Sequence, residues 1–272
     1  RCISYVAQYI ACGINPNTST IVIQSHVPQH AELMWILSTM TSMGELNRMT
    51  QYKDKSNKNK SNINAGLFTY PVLMASDILL YQADLVPVGA DQKQHLELAR
   101  NLANRFNSEY TETFKIPEPY IAKNGARIMS LQNPENKMSK SDVNKNNFIS
   151  LLDKPEIIRA KIKKSITDSS SEVTYDLLRP GISNLMTIYS LINNKSFKSI
   201  EKSFCGKMYA DFKQDLADSL IKYLEPIQYK YNEIIHDKVY LSNILDRGSQ
   251  NAFYTARKTL SKVYRKVGFV KK

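Results

Sequence analysis

The stretch ADLVPVGADQKQHLELARNLANRF, residues 83–106, decides how the rest of the chain is read. Up to Gly89 it reads as a short strand. From Gln92 onward, His95, Leu96, Ala99, Leu102, Ala103 and Phe106 recur at helical spacing and form one apolar face. A strand that ends in glycine and passes at once into a helix is the βα unit of a parallel sheet. In such sheets ligands bind beyond the carboxyl ends of the strands, against helix N-termini. Gly89 would let a ligand approach the backbone, and Asp91 and Gln92 offer polar contacts suited to a ribose and an amine. The same residues also read as a tight turn with Asp91 as an ordinary N-cap. His95, on the apolar face, reads as a packed residue.

Immediately upstream, YPVLMASDILLY (70–81) predicts a helix, with Thr69 as N-cap and Pro71 in the first turn. Tyr70, Met74, Asp77 and Tyr81 are four, three and four residues apart, which places them on one face. Asp77 is an acid among apolar neighbours and needs a partner. It either pairs within the protein or waits for a ligand donor. An aromatic and methionine wall with one acceptor suits a flat apolar ligand that carries an N–H.

Further back, KDKSNKNKSNIN (53–64) lacks periodicity and predicts an exposed, flexible loop. Apolar residues at 33, 36, 37, 40, 43 and 46 predict one helix from Ala31 to about Arg48. STIVIQS (19–25) predicts a buried strand, and residues 1–12 a helix stopped by Gly13 as a C-cap glycine. Downstream, strand signals vanish after residue 142, and from Phe148 the chain reads as amphipathic helices broken at DSSSE, RPGIS, NNKS, CGK and DRGS. The end, ARKTLSKVYRKVGFVKK, is a basic helix or a frayed basic end. An α/β part followed by an all-helical part argues for two domains.

Near their junction lies NKMSKSD, residues 136–142. Lys137, Ser139, Lys140 and Ser141 surround a single apolar residue, Met138, and turn-forming residues flank them. Two ammonium groups with two hydroxyls suit a phosphate-rich ligand and would stabilise charge on a leaving pyrophosphate. Lysine-rich loops are also common as plain solvated surface.

Composition sets the limits. A chain of 272 residues, 42% hydrophobic and 23% charged, can bury the core of one large or two ordinary soluble domains. Thirty-seven Lys and Arg against twenty-five Asp and Glu give a net charge of +12, which points to a polyanionic partner. No apolar run approaches the ~20 residues of a membrane-spanning helix, so no membrane partner is expected, and the first residues are too polar for a signal peptide. Cys2, Cys12 and Cys205 show no metal-ligand or disulfide spacing, so no structural metal is expected and the compartment reads as reducing.

KMSKS, residues 137–141, matches the second signature of class I aminoacyl-tRNA synthetases. GLFTYPVLMASDILLYQADLVPVGADQKQHLELARNLANRFN (66–107), together with GARIMSL and RPGISNL on either side of the lysine loop, resembles the tryptophanyl-tRNA synthetase family across essentially the whole chain. The family likeness implies an α/β fold: a Rossmann-like parallel-sheet catalytic domain over 1–141, N-terminally incomplete, with a dimer-interface insertion at about 29–70, then an all-helical anticodon-binding domain over 142–272. It implies ATP-dependent activation of L-tryptophan and transfer to tRNA(Trp), Mg²⁺ accompanying ATP, a homodimer, and a cytoplasmic or organellar setting. Asp77 would accept the indole N–H, with Tyr70, Met74, Val86 and Val88 forming the pocket and Gln92 holding the amino acid. Gly89, Ala90 and Asp91 would line the ATP ribose, and Ile128 would touch adenine through its backbone. Lys137, Met138, Ser139, Lys140 and Ser141 would grip the phosphates, joined by Lys55. The family usually has glutamate where this chain has Ala90.

One departure from the family concerns its first, HIGH-type signature. SHVPQH (25–30) is the nearest candidate and follows a later strand. The chain is therefore expected to begin after the first βαβ unit, about thirty or more residues into a typical family member, with little adenylate formation on its own. The rival readings are a non-catalytic RNA- or partner-binding remnant, the related tyrosyl-tRNA synthetase, and a nucleotidylyltransferase with a similar phosphate loop.

Overall fold

A computed structural model of the chain describes residues 1–58, 63–89, 92–120 and 127–270. They group into two compact units, one built from residues 1, 3–14 and 124–238, the other from residues 2, 15–123 and 239–272. This grouping does not follow the 141/142 partition read along the chain: residues 3–14 group with the helical unit, and the apolar face of the last helix joins the core of the other.

In the second unit, helices α2 (Gln29–Thr39), α3 (Met43–Asn47), α4 (Thr50–Lys58), α5 (Ala65–Leu79) and α6 (Lys93–Glu109) accompany strands β1 (Leu85–Pro87) and β2 (Glu118–Tyr120). The strands pair in parallel, with Val86 opposite Pro119, and α6 crosses between them as the βα reading of 83–106 requires. β2 escaped the sequence reading because Pro119 cannot donate to a ladder and argues against a strand. Arg100 of α6 ties the crossover to β2, donating to the Pro117 carbonyl at 2.5 Å and the Glu118 carboxylate at 2.6 Å. The core joins Leu33 and Leu37 of α2, Val72 and Leu79 of α5, and Leu96, Leu102 and Phe106 of α6. Ala252, Ala256, Leu260 and Val263 of α11 (Lys238–Lys266) complete it. The basic end is thus helical, with one face buried.

The first unit holds α1 (Cys2–Ala11), α7 (Pro155–Lys164), α8 (Pro180–Asn193), α9 (Phe197–Ser203) and α10 (Tyr209–His236). Ile158, Ile162, Ile182, Leu185, Phe212 and Leu216 form its centre. Gly13 ends α1 as expected: at φ +108° it receives the turn that a side chain would strain, and the Ile14 N–H reaches back to the Tyr9 carbonyl at 3.0 Å.

Several local expectations are corrected. The helix expected over 31–48 is two helices, because Ser42 and Glu45 form a capping box that starts a new one. α5 begins at Asn64, whose side chain accepts from the Leu67 N–H at 2.9 Å, so Pro71 lies inside the helix and Thr69 bonds back to the Ala65 carbonyl. Residues 53–58 continue a helix begun at Thr50, whose N–H and hydroxyl are held by Gln94; 59–62 lie outside the described residues. The run 19–25 joins no sheet among the described residues and enters a 3-10 turn at Gln24–His26. DRGS does not interrupt α11. Gly248 sits where an added Cβ would lie 1.9 Å from the Ile21 carbonyl oxygen, so the glycine serves close packing and not a break.

Candidate active site

One candidate cluster, in the second unit, is built on α5, the first turn of α2 and the turn before it. Asp77 lies on α5 with its side chain about a third exposed. His30, 6% exposed, brings Nδ1 to 2.5 Å from Asp77 Oδ1 and Nε2 to 2.8 Å from the Tyr81 hydroxyl. The Gln24 amide donates to both Asp77 oxygens at 2.8 Å. Asp77 therefore pairs inside the protein and still presents a face to solvent. Burial, with help from the Asp77 charge, pushes the Tyr81 phenol up to about 12. Sequence reasoning missed Gln24 and His30; the available signal was SHVPQH (25–30), which ends on His30 and follows Gln24 directly.

Met74, Tyr81, Val86 and Val88 are half-buried and pack against the same core. Tyr70 is half-buried, its hydroxyl 2.9 Å from His95 Nε2, and burial raises its phenol. His95 is 1% exposed, which bears out its reading as a packed residue. At the strand end Gly89 is exposed, and its carbonyl accepts from the Gln92 N–H at 2.9 Å. Ala90, Asp91 and the Lys55 side chain lie outside the described residues.

The lysine loop belongs to the first unit, where it forms a short antiparallel turn in which Met129 bridges Lys137. The Met138 N–H donates to the Ile128 carbonyl at 3.0 Å, so Ile128 and the lysine loop are brought together. The Asn184 side chain of α8 clamps Met129 from both sides, accepting from its N–H and donating to its carbonyl, each at 2.8 Å. Ile128 and Met138 pack on the helical core, while Lys137, Ser139, Lys140 and Ser141 are exposed. Met138 thus anchors a loop whose polar members face outward. Ser139 and Ser141 share a hydroxyl contact of 2.9 Å. Lys140 rests with Nζ 4.5 Å from the Tyr5 ring centroid. Asn184 was within the recognised RPGISNL, but its clamp on Met129 is visible only in three dimensions.

Residues 2–225 match the family described as tRNA synthetases class I (W and Y). The tryptophan–tRNA ligase of Clostridium acetobutylicum is 56% identical over 271 residues, covering 99% of this chain and 81% of the relative. That of Clostridium tetani is 53% identical over 270 residues, covering 99% and 80%. The fold matches the crystal structure of tryptophanyl-tRNA synthetase from Mycoplasma pneumoniae with a TM-score of 0.88 at 35% identity, over 98% of this chain and 82% of that one. It also matches the enzyme from Campylobacter jejuni complexed with ADP and tryptophan, with a TM-score of 0.83, 35% identity and the same coverage. The chain belongs to the class I aminoacyl-tRNA synthetases of the tryptophan and tyrosine group.

Proposed function

We infer that the protein is a tryptophan–tRNA ligase: it activates L-tryptophan with ATP and transfers the aminoacyl group to tRNA(Trp). The observation that carries this reading is the identity of 51–56% to tryptophan–tRNA ligases over 99% of the chain. In the first step the tryptophan carboxylate attacks the α-phosphorus of ATP, forming the mixed anhydride while the bond to the β-phosphate breaks and pyrophosphate leaves. In the second, a hydroxyl of the terminal tRNA ribose displaces AMP. Positioning and charge stabilisation suffice for such transfers, so no protein nucleophile is required.

The residue roles proposed here are those that the family resemblance implies. Asp77 is the acceptor for the indole N–H, with Tyr70, Met74, Val86 and Val88 as the apolar wall and Gln92 on the amino acid. Gly89, Ala90, Asp91 and the Ile128 backbone serve the nucleoside. Lys137, Ser139, Lys140, Ser141 and Lys55 serve the phosphates, with Met138 as the anchor. Mg²⁺ enters as part of the ATP substrate; among the described residues no cluster of three or more His, Cys, Asp or Glu is placed to hold a metal. The assignment of 1–141 to catalysis and 142–272 to the tRNA anticodon rests on the family pattern and the basic charge. Among the described residues no helix is long and apolar enough to cross a membrane. The homodimer reading is supported by Trp35 and Met43, 70% and 67% exposed.

Calorimetric titration with tryptophan, with tyrosine as control, tests the reading. Tryptophan should bind and tyrosine should not, and Asp77→Ala should weaken tryptophan by roughly ten- to a hundredfold, as loss of a hydrogen bond to a charged group does. Binding of tyrosine in preference would overturn it.

A further inference from the structure

Asp77 does not stand alone in its pocket, and its surroundings are unequal. A carboxylate offers about four acceptor positions. Among the described residues, Oδ1 takes the His30 Nδ1–H and a Gln24 N–H, while Oδ2 takes only the shared Gln24 amide. Gln24 is exposed and can swing aside, whereas His30 is buried and held at three points. Its Nε2 meets the Tyr81 hydroxyl at 2.8 Å, its carbonyl accepts from Ser76 Oγ at 2.9 Å, and its Nδ1 meets Asp77. Ser76 is itself fully buried.

The order of donors follows. Burial keeps the Tyr81 phenol a neutral O–H, which donates to Nε2. With Nε2 accepting from Tyr81, the ring N–H lies on Nδ1 and is donated to Asp77, so Tyr81 selects the tautomer that serves the carboxylate. This is the arrangement by which an outer partner orients a ligand-binding group through a histidine.

We propose that His30 is a positioning residue for tryptophan recognition: with Tyr81 behind it, His30 fixes the Asp77 carboxylate and leaves an Oδ2 lone pair for the indole N–H. The proposal rests on the reading of Asp77 as the indole acceptor. Its consequence is selectivity for an N–H, separate from affinity for the apolar ring.

The test compares tryptophan with β-(3-benzothienyl)alanine, in which sulfur replaces the indole N–H at nearly the same size. Dissociation constants for both are measured by calorimetry on the wild-type chain, His30→Ala, His30→Asn and Tyr81→Phe, with circular dichroism as a check on folding. Wild type should favour tryptophan by roughly ten- to a hundredfold. His30→Ala should reduce that preference to about threefold or less, the range of an unaided hydrogen bond in water. His30→Asn, which can place an amide N–H near the Nδ1 position, should restore it. Tyr81→Phe should lower it to an intermediate value. If His30→Ala weakens both ligands equally and leaves the ratio intact, His30 is merely structural and the proposal fails. Should His30→Ala not fold, an unchanged ratio in Tyr81→Phe overturns the proposal equally. No preference in the wild type would instead bring down the reading of Asp77, and the proposal with it.

Discussion

Between the two lysines of the 136–142 loop, Met138 packs on the helical core while Lys137 and Lys140 stay exposed. One apolar residue thus fixes the loop's root at little cost to the freedom of its charged tips. Lys140 in this state lies over the Tyr5 ring, a contact weak enough to yield to a phosphate. Lys140→Ala should lower tryptophan-dependent pyrophosphate exchange by about a hundredfold, the usual effect of removing one donor to developing charge. Tryptophan affinity should stay within about twofold, since the exposed side chain supports no core contact. Exchange kinetics and calorimetry on the same preparations check both halves. The spacing of Asp77 in its helix marked it as exceptional in the sequence, but its partners Gln24 and His30 lie 53 and 47 positions away, beyond any local pattern.

At the scale of elements, glycine and charge act as joints between helices. Gly248→Ala would place a methyl carbon 1.9 Å from the Ile21 carbonyl oxygen, and the obstructing atom is backbone. The substitution should destabilise by about 1–3 kcal/mol, the cost of overpacking, despite alanine's better helix propensity; a thermal melt would show a lowered midpoint. Arg179, which precedes α8, donates to both oxygens of Asp168 at 3.0 and 3.1 Å, and Tyr209, which opens α10, donates to Asp168 at 2.8 Å. The Arg179 hydrogen bonds are the main cause that holds the Asp168 carboxyl at about 2, below its usual 3.8. A depressed folded-state pKa stabilises fully above the unfolded value and fades as pH falls through the folded one. The stability gap between wild type and Asp168→Asn should therefore be flat from neutral pH to about 4.5 and shrink toward pH 2. Glu45, also held at about 2 by Arg105, titrates alike in both proteins and cancels. Denaturant melts across that range check it; a gap that widens on acidification would contradict the assignment.

For the whole molecule, two cores of similar character support two sets of functional residues, and the surface carries a net charge of +12. Trp35, 70% exposed on α2, is the largest apolar side chain left uncovered. Trp35→Glu should shift a dimer to monomer in sedimentation velocity while leaving the melt nearly unchanged; an unaltered dimer would place the subunit interface elsewhere. The sequence by itself determined the βα unit at 83–106, the packed His95, the helical second half and the family, because each is written in local periodicity or contiguous motif. It also marked Asp77 and the lysine loop, since a lone acid on an apolar face and a basic loop between turns are local anomalies. Only the tertiary structure decided that Gly248 is a contact and not a break, that Ser42 divides the helix expected from Ala31, and that His30, Gln24 and Asn184 stand behind the predicted residues. Those outcomes depend on which distant backbone or side-chain atom arrives at a given point, and no periodicity along the chain encodes that.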